Sequence, residues 1–191
     1  MTGEYVAAIA EEFSKVLNCY LKGFWGQYIS DAEYKRVLNL YPDNAKYGNQ
    51  KYVGTDCFAF DCICFVKAIL GGATPQSRIS YAQMKANPIG DCDNTKFYKI
   101  LYDTDTEPQP GYGIASSKHA GIVLGKNKWI DCNFTNGGQN GLAIHYSDPR
   151  SLGYKVGKIP GVAYESPVPE PDEVQDFLNF LYKLWKESKH E

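Results

Sequence analysis

The chain reads as an α+β domain, with N-terminal helices packed on a five- to six-stranded antiparallel sheet. Two observations predict this. Up to Gly72 the apolar residues recur mostly at the three- and four-residue spacing of helices, whereas after Pro110 they fall into short runs broken by Gly and Asn, as in strands joined by turns. Helices first and a strand meander afterwards place the helices against one side of an antiparallel sheet. With 191 residues, 43% of them hydrophobic, the chain is long enough to bury one sizeable core.

In chain order, Val6, Ile9, Phe13, Val16, Leu17 and Tyr20 predict an amphipathic helix from Glu4 to Lys22, stopped by Gly23. The aromatic run Phe24-Trp25-Gly26-Gln27-Tyr28 follows. Trp25, beside a glycine, is a candidate cleft-lining residue, although core packing is the commoner fate of such a ring. Ser30 with Glu33 three residues on predicts a capped second helix through Tyr34, Val37 and Leu38, ended by Pro42. Residues 41–60 are turn-rich. A third helix then opens at Cys62, with Cys62, Phe65, Val66, Ile69 and Leu70 on one face, Asp61 as its cap, and Gly71, Gly72 and Pro75 as stop signals. Residues 73–110 read as a long irregular insertion, the kind of segment that forms a functional wall or lid. Tyr81, Phe97, Tyr98 and Tyr102 are its anchors or its ligand-facing surface.

Strands are predicted over His119–Gly125, Lys128–Phe134, Leu142–Ser147 and Tyr154–Tyr164, the last interrupted by Pro160, with Lys126-Asn127 as the tight turn of the first hairpin. Residues 1–165 thus form one domain, including a helical part at 1–42. Residues 166–191 differ in kind. Pro167, Pro169 and Pro171 make a stiff linker, and Val174, Phe177, Leu178, Leu181 and Trp185 make the apolar stripe of a last helix, which by default packs back on the domain, the alternatives being pairing with a second copy as a homodimer or the stub of a removed targeting module.

Composition excludes several roles. A net charge of -2 gives no electrostatic footing for nucleic acid. No apolar run approaches the roughly 18 residues of a membrane span, and Glu4, Glu11 and Glu12 make the N-terminus unlike a secretory signal, so synthesis in the cytoplasm and no membrane insertion are expected. Six scattered cysteines are expected to be reduced. Cys57, Cys62 and Cys64 lack a second half with zinc-ligand spacing, so neither a metal nor another cofactor is expected.

The chemistry centres on Cys62. At a helix start, unpaired backbone N–H groups and the positive end of the dipole favour negative charge, which is what a sulfur nucleophile needs. Such a nucleophile needs a base, and the base needs a group to orient its ring. Of three histidines, His190 lies at the terminus, and His145 is read as a surface strand residue. His119 opens a strand whose hairpin partner carries Asp131 twelve positions on, so two neighbouring strands can present an imidazole and a carboxylate side by side.

These residues carry a resemblance. Phe60-Asp61-Cys62 with its apolar helix, Pro110-Gly111, and His119-Ala120-Gly121-Ile122-Val123-Leu124-Gly125 resemble the NlpC family of papain-like cysteine peptidases, with its Asp-Cys-Ser-Gly-Leu-Val helix and His-Val-Gly-Ile-Tyr-Leu-Gly strand. The likeness covers roughly residues 25 to 165. It implies a papain-like fold, with Cys62 as nucleophile, His119 as general base and then acid, and Asp131 as orienter of the imidazole. The Cys62 backbone N–H would be an oxyanion donor. It also implies that amide bonds in bacterial cell-wall stem peptides are cut. Tyr52-Val53-Gly54 resembles a shortened form of the Tyr-Val-Trp-Gly-Gly segment ahead of the family nucleophile, so Tyr52, with Trp25 and Asp61, is a candidate substrate-binding residue. The chain departs from the family at Ile63-Cys64, where Ser-Gly is usual.

The leading expectation is therefore a peptidoglycan hydrolase, an endopeptidase or amidase of phage-lysin type acting on stem peptides. The altered residues after the nucleophile suggest a rival, a non-catalytic cell-wall binding module. A third reading keeps the nucleophile and resolves the acyl-enzyme with an amine, giving a transferase.

Overall fold

A computed structural model describes residues 1–103, 107–135 and 140–164. It has an α+β architecture built on a six-stranded sheet. The strands are β3 (Tyr102–Asp103), β4 (Gly113–Ala115), β5 (Ala120–Gly125), β6 (Lys128–Phe134), β7 (Asn140–His145) and β8 (Lys155–Lys158). Their spatial order is β3-β8-β4-β5-β6-β7, and every pair is antiparallel. The expected linker and C-terminal helix at 166–191, and His190, lie outside the described residues.

Helix α1 (Gly3–Phe13) and helix α3 (Cys62–Leu70) pack on β5, and α3 also reaches β6. Strand alternation explains the fit. Ala120, Ile122, Ile130 and Cys132 join α1 and α3 in the main core, while Val123 and Trp129 join Tyr112 and Val156 in a separate cluster. Phe13, Phe58, Phe60 and Phe65 bind the helices together, with Phe13 meeting Phe58 and Phe60 edge-on at 5.2 and 5.3 Å.

The first helix is shorter than its apolar pattern predicts. It stops at Phe13 because the Ser14 hydroxyl donates to Glu11 O and the Asn18 carboxamide donates to Phe13 O and Val16 O, which satisfies the carbonyls a longer helix would use. The chain then runs as β1 (Asn18–Tyr20), parallel to β2 (Phe58–Phe60), and leaves Leu17 exposed. Helix α2 (Asp31–Leu40) starts where expected, with the Ser30 hydroxyl accepting from Glu33 N.

The turn-rich segment after α2 is organised by buried asparagines. Asn44 bonds both N and O of Lys22, and Asn49 donates to Tyr20 O and accepts from Asn140, pinning β1 to the far edge of the sheet. Such side-chain amides supply the backbone partners that irregular chain lacks.

The stretch at 73–110 corrects the expectation of an irregular insertion. It holds helix α4 (Tyr81–Ala86), started by a Ser80–Gln83 capping box, and helix α5 (Asn94–Ile100), capped by Asp93. Each is under two turns and buries one large side chain, Met84 or Phe97, too little to display a period. The last predicted strand is also shorter, confined to Lys155–Lys158 before Pro160.

Candidate active site

Strand β2 is buried throughout and delivers the chain into α3 at Asp61. The Asp61 carboxylate accepts from Cys64 N at 2.7 Å and from Gly23 N at 2.9 Å, so it caps the helix and ties it to the loop after β1. Burial raises its pKa, and those backbone donors oppose the rise. Cys62 is therefore held as the first helical residue, 5% exposed, at the foot of a cavity of about 420 Å³ that Tyr20, Lys22, Asn94 and Lys118 help to line.

The imidazole comes from the sheet. In the β5–β6 pairing Gly121 stands opposite Asp131, and His119, one residue ahead of β5, is the diagonal neighbour of that carboxylate. His119 Nε2 lies 2.5 Å from Asp131 Oδ2. This occupies one ring nitrogen and leaves Nδ1 for the thiol. Burial would lower the His119 pKa, but the bond to Asp131 and the adjacent Cys62 sulfur outweigh it and raise the value to about 10. Burial would push Asp131 up, and the bonds to the two histidines win, holding it below the usual carboxylate range.

The second of these histidines is His145. Asp131 pairs with Ala143 on β7, so His145 is its diagonal neighbour from the other side, with Nε2 2.9 Å from Asp131 Oδ1. Its ring stacks on Trp129 at 3.9 Å and 19°. It is thus part of the site rather than the plain surface residue expected. Equal parity along β6 and β7 was the available signal, but it needed the register of that pair, which only tertiary pairing sets. Asn94 is the other unexpected member. Its Nδ2 is 3.5 Å from the Cys62 sulfur, and it belongs to a helix too short to be read.

Cys62, His119 and Asp131 are brought together. Asp61 borders the same cavity but commits both carboxylate oxygens to backbone donors. Trp25 lines an adjoining groove of about 570 Å³, its indole N–H donating to Ile79 O and its ring 5.1 Å from Tyr81. Tyr52 lines neither space; it packs beside the cluster of Leu21, Phe24 and Ile29.

Chemically, a sulfur at a helix tip beside an imidazole steadied by a buried carboxylate is suited to attack a carbonyl and to return a proton to the leaving group. Compared with protein-family models, curated proteins and solved structures, the chain matches none.

Proposed function

We propose that this protein is a cysteine peptidase or amidase of papain-like, NlpC-type fold that cuts amide bonds in the stem peptides of bacterial peptidoglycan, as a phage-type lysin would. The observation that carries the reading is the His119 ring, fixed on Asp131 and set beside the Cys62 sulfur. The substrate class rests on the sequence resemblance, and the open groove leading away from Cys62 is compatible with an extended peptide.

In the first step Cys62 passes its thiol proton to His119 as the sulfur attacks the carbonyl carbon and the carbonyl π pair moves to oxygen. The first-turn N–H of Cys62, which has no acceptor within the helix ladder, would donate to that oxygen. Protonated His119 then gives its proton to the departing amine as the C–N bond breaks. Water, deprotonated by the same imidazole, attacks the thioester carbonyl; as the C–S bond breaks the imidazolium returns its proton to the sulfur, which restores the thiol. Asp131 holds the ring in register throughout and stabilises its charge.

Mass spectrometry of purified muropeptides tests this. Wild type is expected to release fragments that together have gained one water per cut bond, and Cys62→Ala to release none. Equal release by both proteins, or none by either, contradicts the proposal.

A further inference from the structure

The geometry points to Asn94 as a catalytic residue: its carboxamide is the side-chain half of the oxyanion site, acting with the backbone N–H of Cys62. This rests on the proposed acyl chemistry and deepens it.

Asn94 is well placed and well held. Asp93 caps α5 by accepting from Lys96 N at 2.7 Å, and the Thr95 hydroxyl donates to Ser117 O. Phe97, three residues on, is fully buried and packs so closely against Gly113 that an added methyl there would lie 2.7 Å from its ring. The helix cannot rotate without lifting that ring from the core. Asn94 is half-buried and lines the Cys62 cavity, with Nδ2 3.5 Å and Oδ1 3.6 Å from the sulfur. Among the described residues the carboxamide makes no other hydrogen bond.

A carbonyl oxygen attacked at its carbon by Cys62 develops its charge within a few ångströms of that sulfur, the zone Asn94 Nδ2 already occupies as a donor. Before attack the amide faces the sulfur. As the S–C bond forms, the carbonyl pair moves to oxygen, the sulfur loses its negative charge, and the N–H turns to the new oxyanion. When the intermediate collapses the pair returns, the C–N bond breaks, and the amine takes its proton from His119. An amide suits this place because it donates at every working pH and adds no charge of its own.

Two probes on the full chain separate this from a role in holding the thiol. p-Nitrophenyl acetate acylates a cysteine through an oxyanion, whereas iodoacetamide alkylates it by displacement and forms none. For Asn94→Ala, acylation at Cys62 is expected to fall about 10²–10³-fold, as when one oxyanion donor is lost, while alkylation stays close to the wild-type rate and so also reports an intact site. Asn94→Asp, of equal size, is expected to lose acylation as severely because its carboxylate repels the oxyanion. Unchanged acylation in both variants overturns the inference while leaving the proposed function standing. A parallel fall of both reactions also overturns it, since the side chain would then act on the thiol. If wild type shows no acylation beyond that of Cys62→Ala, the proposed function fails and this inference fails with it.

Discussion

His119 keeps its proton far above the pH at which a free imidazole gives it up, with a pKa raised from 6.5 to about 10. Burial opposes this, so the charge is held by its neighbours, Asp131 and the Cys62 sulfur. Because the folded pKa lies above the unfolded one, protonated His119 stabilises the fold fully below about pH 6.5, and that contribution is lost as pH rises through about 10. Urea titrations across this range are expected to show wild type losing stability relative to His119→Gln. An NMR titration of the imidazole is expected to show a lower pKa in Cys62→Ala. Asp131, with a lowered pKa, works in the opposite sense, its contribution being lost as pH falls through the acid range. On the proposed chemistry, Asp131→Asn is expected to reduce kcat by about 10²–10⁴-fold, as in triads whose ring loses its carboxylate. His145→Phe keeps a ring to stack on Trp129 and removes one bond to Asp131, at a cost of about 1.5–3 kcal/mol for a hydrogen bond to a charged group.

At the scale of elements, the proposed nucleophile depends on a helix start and the proposed base on a strand pair, and each rests on one small feature. Asp61→Ala removes the α3 cap together with the tie to Gly23, and chemical denaturation is expected to show a loss of about 1–2 kcal/mol. Gly121 sits opposite Asp131, where an added methyl would lie 2.5 Å from Ile130 O. Gly121→Ala would wedge β5 from β6, with an expected cost of about 1–3 kcal/mol and a misplaced imidazole. Legibility in the sequence follows the same division. Helix α3, its cap, and the β5–β6 hairpin were readable because each repeats its period or carries its turn signal locally; Cys62 and Asp131 lie on those elements and His119 one residue ahead of β5. Helix α1 was overread because Asn18 ends it through side-chain bonds that periodicity does not register. Helices α4 and α5, and with them Asn94, were unreadable because one buried side chain apiece makes no pattern. His145 required the register of β7, which only tertiary pairing sets.

For the whole molecule, the site lies where the helical layer meets the sheet, with sulfur supplied by one and imidazole by the other. Neither layer holds the pair alone. The proposed chemistry therefore makes Cys62 different in kind from the other cysteines. Cys64 and Cys92 are partly exposed, but burial pushes both thiols up, and Cys132 is buried in the core and pushed up likewise. Limited alkylation of the native full chain with iodoacetamide near pH 6, followed by peptide mapping, compares them in one tube. The account predicts that the label falls on Cys62 ahead of Cys64, Cys92 and Cys132, and that His119→Ala abolishes the preference. Labelling of Cys64 or Cys92 first, or a Cys62 preference indifferent to His119, would contradict it.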